Sequence, residues 1–559
     1  MRNSVLKITI ISLALLMANA CSKNSQIAKE EPATEDLSPT VSGNNPSLKT
    51  RKLFEKKDMN AQDFYYSIQS GDHIEEEFAP DMETGRTHNT EEYDHIVENI
   101  FQTPKTSPLS TFSIDVDNAS YTNARRFING GQMPYKDAVR IEEFINYFDY
   151  DYPQPKNDVP FSINTEVGPA PWNEKHKLVH IGLQGKDLDY ENLSASNLVF
   201  LIDVSGSMED ANKLPLLRSS LKLLLDKLGD KDKVAIVVYA GAAGCVLPST
   251  PATEKETIMK ALDKLQAGGS TAGGAGIKLA YEIAEENLIE NGNNRIILAT
   301  DGDFNVGVSS TSEMVRMIEE KRKSGIYLTI CGFGMGNYKD GRMEQISNAG
   351  NGNYFYIDNI KEAQKVFVHQ MRATLFTIAK DVKIQVEFNP EKVQAYRLIG
   401  YENRMLKSED FNDDKKDAGE LGAGHTVTAL YEIIPVGIES EFVKSVDELK
   451  YQTPQSGNKS NDLLTVKLRY KLPEEDKSKL VQEVLADKER ALKNTSENFR
   501  FSASVAGFSL LLRDSEFKGT LNYAQVISLG KNAMGDDDEG YRREFIQLVE
   551  SCNLMARGE

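Results

Sequence analysis

The sequence predicts an α/β protein whose central domain, residues 197–380, is a doubly wound parallel sheet. Two apolar runs, Asn197–Asp203 and Arg295–Asp301, end in an acid, which is typical of buried parallel strands. Strand-like and helical apolar spacings alternate through this domain, as they do in parallel sheets covered by helices. After residue 381 the apolar spacing changes to every second residue, which predicts a flanking antiparallel β unit.

The composition limits the class of partner. The chain has 559 residues, with 65 Lys and Arg against 84 Asp and Glu, so its formal net charge is −19. This balance argues against a nucleic-acid partner and against a basic membrane-binding surface. Seven histidines and four cysteines are too few for a zinc-ribbon array or a disulfide scaffold. We expect Cys245, Cys331 and Cys552 to be buried free thiols, with one disulfide among them left open.

The first twenty residues are typical of an export signal. Arg2 and Lys7 precede the apolar run Ile8–Ala18, and Ala20 stands before Cys21. The run is shorter than the roughly 20 residues that a membrane-spanning helix needs. The arrangement resembles a bacterial lipobox, with Ala18 where that motif usually has Leu. It therefore predicts lipid attachment at Cys21, which would hold the protein outside the cytoplasm, on a membrane of the cell envelope, facing the periplasm or the exterior.

A polar segment, residues 21–105, follows the signal, and we expect it to be a largely disordered tether. An α+β region, residues 106–196, comes next. Its predicted elements are a strand at Thr111–Asp117, a helix that ends at Gly130 and Gly131, a helix at Asp137–Phe148, and strands at Phe161–Val167 and Leu178–Leu183.

The central domain continues the alternation of strand and helix. After the first strand, the predicted elements are a helix through Leu217, Leu221, Leu224 and Leu228, a strand at Val234–Tyr239, a helix at Thr253–Leu265, a helix through Ile277 and Tyr281, the strand ending at Asp301, a helix through Met314 and Ile318, a strand at Ile326–Ile330 and a closing helix at Ala363–Ile378.

The C-terminal third divides into a β-rich region, residues 381–475, and a helical region, residues 476–559. Strands are predicted at Val382–Phe388, Thr426–Ile434 and Leu464–Tyr470, and the helical core candidates are Phe499, Val505, Phe508 and Leu511. Since strands lie on both sides of the central domain, we expect that domain to be inserted into a β unit that residues 161–185 help to complete.

Oxygen-bearing side chains follow the buried strands of the central domain. Asp203-Val-Ser205-Gly-Ser207 comes directly after one strand, Asp301 ends another, and Thr271 lies in a glycine-rich loop. In doubly wound sheets, ligands bind beyond the carboxyl ends of the strands, so these residues are expected to meet there. Carboxylates and hydroxyls suit Mg²⁺, with Mn²⁺ or Ca²⁺ left open, whereas the absence of thiol and imidazole from the set disfavours zinc and copper.

This arrangement resembles the metal-ion-dependent adhesion site of von Willebrand factor A (VWA) domains. The resemblance implies a Rossmann-like fold and a Mg²⁺ held by Asp203, Ser205, Ser207, Thr271 and Asp301, directly or through water. It also implies a protein partner whose acidic side chain completes the metal shell. We expect the nearby acids Asp210 and Asp303 to be solvated or to support the site from outside.

The flanking regions resemble a narrower group, the YfbK-type bacterial envelope lipoproteins. Pro108–Asp117 and Arg140–Asp149 carry the N-terminal part of this resemblance, and the region after residue 381 carries the rest. The resemblance extends over residues 90–555 and implies architecture more than activity.

Other interpretations of individual residues stay open. Each segment of the site could be a helix cap or a turn, although three independent caps explain the set less simply than one metal. Asp115 and Asp117 could suggest calcium, but a turn is the preferred interpretation. His176 and His180 would share a strand face, yet no third zinc ligand lies near them in sequence.

The sequence thus predicts a lipid-anchored envelope protein that binds a protein partner through a Mg²⁺-dependent adhesion site. One alternative is a structural scaffold whose metal site is vestigial. Another is a metal-assisted hydrolase, but the chain has no HExxH, P-loop or GxSxG motif, and we therefore predict that it is not an enzyme.

Overall fold

The computed structural model describes residues 91–558, apart from 115–116, 157, 189–193, 270–272, 303–310, 337–338 and 444–459. These residues belong to one compact unit, Met59–Glu559. The predicted signal, Cys21 and most of the predicted tether lie outside the described residues. No helix of the described part is long and apolar enough to cross a membrane.

The region before the central domain contains three strands and two helices within its described residues. They are β1 (Leu109–Ser113), α1 (Ala119–Asn129), α2 (Ile141–Asn146), β2 (Phe161–Ala170) and β3 (Asn173–Gly185). The helix predicted at 137–148 is wrong in extent, because a 3₁₀ turn at Lys136–Ala138 is separated from α2 by extended backbone. There the Arg140 amide donates to the Ser120 hydroxyl, and the Arg140 guanidinium pairs with Asp340 of the central domain. This tertiary pairing overrides the local helical pattern.

The central domain alternates strands and helices as predicted. Its elements are β4 (Ser196–Asp203), α3 (Leu214–Leu225), β5 (Lys233–Tyr239), β6 (Ala243–Pro251), α4 (Lys255–Asp263), α5 (Gly273–Glu286), β7 (Asn293–Thr300), α6 (Thr311–Lys323), β8 (Ile326–Phe333), α7 (Asp340–Ala349), β9 (Tyr354–Ile357), α8 (Ile360–Gln364), a π-helical turn (Lys365–His369) and α9 (Met371–Leu375). The strand order is β6-β5-β4-β7-β8-β9, in which β6 is antiparallel and the other described strands are parallel.

Three features of this domain differ from the sequence prediction. The edge strand β6 was not predicted, because its residues are incompletely and irregularly buried and therefore do not form the apolar run of a buried strand. The elements α7 and β9 were also not predicted. The closing helix ends at Leu375, not at 378, because the next strand begins at Thr377 and pairs there with Gly422.

The central strand β4 is buried along its whole length. Phe200 and Ile202 contribute to the apolar core on one face of the sheet, and Val199 and Leu201 contribute to the core on the other face. A strand that packs on both faces has a continuous run of apolar residues, which is why it could be predicted from the sequence. Its carboxyl end, Asp203, is fully buried.

The β unit consists of two packed sheets. Its later strands are β10 (Thr377–Phe388), β11 (Val393–Ile399), β12 (Met405–Leu406), β13 (Gly419–Gly422), β14 (Thr426–Pro435), β15 (Asp462–Lys471) and β16 (Lys479–Ala486). One sheet has the order β12-β1-β10-β15-β16, with β13 paired to β10, and the other has the order β11-β14-β3-β2. Since β1, β2 and β3 precede the central domain and the others follow it, the expected insertion is confirmed. β16 lies within the predicted helical region; its mostly exposed residues gave no strand signal.

The chain ends in three helices of the described part: α10 (Glu497–Arg513), α11 (Tyr523–Lys531) and α12 (Tyr541–Gly558). They share an apolar core with α1 and α2, and Trp172 packs in this core with 1% of its surface exposed. Cys331 and Cys552 are buried free thiols, as expected. Cys245 is free but exposed, which contradicts its predicted burial, because it lies on the edge strand β6.

Candidate metal centre

The predicted site lies at the carboxyl end of two neighbouring strands. β4 and β7 run parallel in register from Ser196 and Asn293, so Asp203 at the end of β4 lies beside Thr300 and Asp301. The Thr300 hydroxyl donates to Oδ2 of Asp203 over 3.3 Å. The structure therefore brings Asp203 and Asp301 to one edge of the sheet, as parallel pairing requires.

The turn after β4 holds the two serines. The Ser205 amide donates to Oδ1 of Asp203 over 2.9 Å, and the hydroxyl oxygens of Ser205 and Ser207 lie 3.0 Å apart. A 3₁₀ turn at Gly206–Glu209 carries Ser207. Two hydroxyls and two carboxylates thus lie close together at the start of this turn.

The glycine-rich loop is attached to the same turn. The Gly206 amide donates to the Gly269 carbonyl over 3.0 Å, and the Gly268 amide donates to the Val204 carbonyl over 2.8 Å. Gly269 has a φ of 82°, a conformation that favours glycine. Thr271 itself lies outside the described residues, and so does Asp303, but the loop that carries Thr271 approaches the site at Gly269.

Burial dominates the electrostatics of the site. Asp203 is 0% and Asp301 is 1% exposed. Burial raises the pKa of Asp203 to about 6, with a further contribution from the Asp301 charge, although hydrogen bonds from Ser205 oppose the rise. The raised pKa shows that the charged form of Asp203 is costly here unless a cation lies beside it.

A lysine that the sequence did not single out lies at the site. Lys213 Nζ donates to Asp301 Oδ2 over 3.0 Å and to the Ser207 carbonyl over 2.9 Å, and its side chain is 6% exposed. Asp210 lies 3.8 Å from the same ammonium but is 73% exposed, in agreement with its predicted solvation. Lys213 directly precedes α3, a position at which a lysine is normally solvated. Its place at the site could therefore not be predicted from the sequence.

The side chains present fit a hard divalent cation. Asp203, Ser205, Ser207 and Asp301 offer only oxygen ligands, the set that Mg²⁺, Mn²⁺ and Ca²⁺ prefer. The Lys213 ammonium donates to Asp301 and to the Ser207 carbonyl, so these oxygens already accommodate one positive charge.

A second group of acids differs from this site in its partners. Carboxylate oxygens of Asp117, Glu143 and Glu344 lie within 4.8 Å of one another, and all three residues are buried. Arg140 pairs with Glu143, while Arg404 pairs with Glu344 over 2.8 Å and with Asp117 over 3.3 Å. Asp117 also accepts from the Tyr354 amide over 2.8 Å, so it links its segment to β9. Asp115 lies outside the described residues.

The two histidines of β3 have separate partners. His176 Nδ1 lies 2.5 Å from Glu432 Oε1, and His180 Nε2 lies 2.9 Å from the Tyr152 hydroxyl. Burial lowers the pKa of His180 to about 4. Among the described residues, these side chains do not belong to a group of potential metal ligands.

Comparison with known families agrees with this architecture. The model for the von Willebrand factor type A domain matches residues 197–369. A model described as von Willebrand factor matches residues 87–180, and one described as "Uncharacterized protein YfbK, C-terminal" matches residues 373–555.

Individual relatives extend the comparison. A solved structure titled "von Willebrand factor type A from Catenulispora acidiphila" covers 69% of this chain and 89% of its own, with 16% identity and a TM-score of 0.39. Human inter-alpha-trypsin inhibitor heavy chain H4 is 34% identical over 148 residues, 25% of this chain and 16% of the relative. The Escherichia coli (strain K12) protein named "Uncharacterized protein YfbK" is 44% identical over 472 residues, 82% of this chain and 81% of the relative. The chain therefore belongs to the YfbK family and contains a VWA domain.

Proposed function

We propose that the protein binds a protein partner through a divalent cation held by Asp203, Ser205, Ser207, Thr271 and Asp301. The observation that carries the proposal is the gathering of two buried carboxylates and two hydroxyls at the carboxyl ends of β4 and β7. When bound, the cation would supply a positive charge with a free coordination position for a carboxylate of the partner. Mg²⁺ is the proposed cation, with Mn²⁺ and Ca²⁺ as alternatives.

The chain's own residues would prepare this contact. The Ser205 amide fixes one oxygen of Asp203, which leaves the carboxylate in a defined orientation. The contact between the two serine hydroxyls orients Ser205 and Ser207 together. Low exposure at Asp203 and Asp301 reduces screening by water, and a charge–charge contact there is stronger than one at the surface.

The proposed setting is a membrane of the bacterial cell envelope. The N-terminal signal and Cys21 support lipid attachment there, outside the cytoplasm, with the membrane contacted through the lipid only. The net charge of −19 supports recognition through a bound cation, which would be a local positive spot on an acidic protein. We propose no enzymatic activity.

The test is a pull-down of envelope proteins by the full chain in detergent, compared in Mg²⁺, in EDTA and with Asp301→Asn. Asparagine is preferable to alanine, because it leaves an acceptor for the buried Lys213 ammonium. Asp263→Ala, a change at an exposed acid of α4, is the matched control. We expect a partner that is recovered only with Mg²⁺ and intact Asp301. The same set of proteins in all samples would contradict the proposal.

A structural scaffold with an inert site is the second candidate. The contact between Lys213 and Asp301 favours it, since an ammonium can neutralise Asp301 without any metal. A titration with Mn²⁺ separates the two candidates. A scaffold with an inert site should show no saturable Mn²⁺ binding. The proposed metal site should show saturable Mn²⁺ binding that is lost in Asp301→Asn.

A further inference from the structure

We propose that Lys213 is a built-in cation that competes with the divalent metal for Asp301 and so keeps metal affinity low until a partner binds. This inference rests on the proposed function and concerns the regulation of that same site. Its starting point is the Lys213 ammonium, 3.0 Å from Asp301 Oδ2 and 2.9 Å from the carbonyl of Ser207, which is itself one of the proposed ligand residues.

The position of Lys213 is fixed by its backbone and by a slot for its side chain. The Lys213 amide donates to the Asp210 carbonyl over 2.9 Å, and the Lys213 carbonyl accepts from Leu217 over 2.8 Å. The aliphatic stem passes against Gly334, just after β8, where any Cβ would overlap it. Gly334 has a φ of 74°, so glycine is also favoured there by its backbone. The lysine is therefore built into the fold rather than resting on the surface.

The formal charges show why this lysine opposes a metal. Asp203 and Asp301 provide two negative charges, and the Lys213 ammonium cancels one of them. A divalent cation that arrives at the four oxygens meets a net charge of −1 instead of −2, together with repulsion from the ammonium. Both effects weaken metal binding, and the buried setting makes them larger than they would be in water.

The structure also offers a second acceptor for the displaced ammonium. Asp210 Oδ2 lies 3.8 Å from Lys213 Nζ, outside hydrogen-bond distance, and the Asp210 side chain is 73% exposed. A small rotation at the end of the lysine stem would move the ammonium from Asp301 towards Asp210, with the Ser207 carbonyl as a shared acceptor. Lysine suits such an exchange because its ammonium is a point charge on a flexible stem.

Competition of this kind couples the metal to the partner. A carboxylate from the partner adds a negative charge at the site, which offsets the repulsion between the metal and Lys213. The partner should therefore tighten metal binding, and the metal should tighten partner binding by the same factor. Without Lys213 the metal would bind tightly alone, and this coupling would weaken.

The experiment is a Mn²⁺ titration of the full chain in detergent, with free Mn²⁺ followed by electron paramagnetic resonance. Lys213→Met removes the charge and retains the stem, and Lys213→Gln retains a donor for the Ser207 carbonyl. Lys222→Met, on the helix α3 that Lys213 directly precedes, is the matched control, because among the described contacts Lys222 pairs only with the exposed Asp263. We expect the Lys213 variants to bind Mn²⁺ about tenfold more tightly or better, since one buried unit charge is removed, with no change for Lys222→Met.

A double-mutant cycle of Lys213 and Asp210 adds a second measurement. The coupling in Mn²⁺ affinity between the two residues should be absent if Lys213 has only a structural role. Asp210→Asn should weaken Mn²⁺ binding when Lys213 is present and should have a much smaller effect in Lys213→Gln. If the wild type binds Mn²⁺ and both Lys213 variants bind it no more tightly, the inference is wrong while the proposed function stands. If neither the wild type nor the variants bind Mn²⁺, both are wrong.

Discussion

Two clusters of buried acids in this protein differ in the cation that neutralises them. At the candidate metal centre, Asp203 and Asp301 lie beside serine hydroxyls and a single lysine. At the junction cluster, which we define as Asp117, Glu143, Asp340, Glu344, Arg140 and Arg404, two guanidiniums pair with four carboxylates. A guanidinium holds several oxygens in a fixed planar geometry, whereas an ammonium is a point charge that can exchange partners. The comparison favours a fixed structural role for the junction cluster and agrees with the exchange that we propose for the candidate metal centre.

Arg140→Ala should have the largest effect on this comparison. It leaves Glu143 and Asp340 buried without their shared guanidinium, and we expect a loss of about 3–5 kcal/mol in the free energy of unfolding. Urea denaturation followed by circular dichroism measures the loss. Lys260→Ala removes an exposed pair with Glu256 and should cost less than about 0.5 kcal/mol. A similar loss for both variants would show that the junction cluster is not a joint.

His180 adds a contrast to both acid clusters, because it is a buried base that stays neutral instead of pairing with an opposite charge. Burial lowers the pKa of His180 to about 4, against about 6.5 for an exposed histidine. The Tyr152 hydroxyl contacts the ring, and the Glu166 charge on the neighbouring strand opposes the lowering of the pKa. The unfolded chain therefore binds the proton first as pH falls below about 6.5. Between pH 7 and pH 5 this histidine should remove about 2 kcal/mol from the free energy of unfolding.

The measurement for this prediction is the difference in unfolding free energy between pH 7 and pH 5, in wild type and in His180→Gln. Glutamine has no titration in this range, so the loss on acidification should be smaller in the variant by about the stated amount. Equal losses in both proteins would contradict the assignment of a neutral buried imidazole.

Asp203→Asn should have a smaller effect and the opposite sign. The buried carboxylate is costly in its charged form, and a neutral amide of similar shape avoids that cost while still accepting from the Ser205 amide. In EDTA we expect the free energy of unfolding to rise by about 1–2 kcal/mol. Mn²⁺ binding should be lost in the same variant. A destabilised variant in EDTA would mean that Asp203 is a structural acid like those of the junction cluster.

The sequence located those parts of the site that local pattern determines. Asp203 and Asp301 follow central strands whose two buried faces make continuous apolar runs, and their parallel pairing brings both acids to one edge. The role of Lys213 was not predicted, because its contact with Asp301 joins residues 88 positions apart. The residues around it in sequence are those of an ordinary helix start. The break before α2 escaped for the same reason, since Arg140 and Asp340 are 200 positions apart. The metal-binding roles of Asp203, Ser205, Ser207, Thr271 and Asp301 and the lipid attachment at Cys21 stay predictions.

The insertion of the VWA domain has a consequence for the order in which the protein can fold. Strand β3 pairs with β14, so Gly182 must find Thr428 after the whole inserted domain has been made. Within the inserted domain, by contrast, each strand pairs with others of the same domain, and loop closure there is less costly. We therefore expect the inserted domain to form first and to bring the two halves of the β unit together. Until then, β1 lacks its partner β10, and the paired strands β2 and β3 have an open edge at β3 where β14 will pair, which makes the incompletely folded chain prone to aggregation.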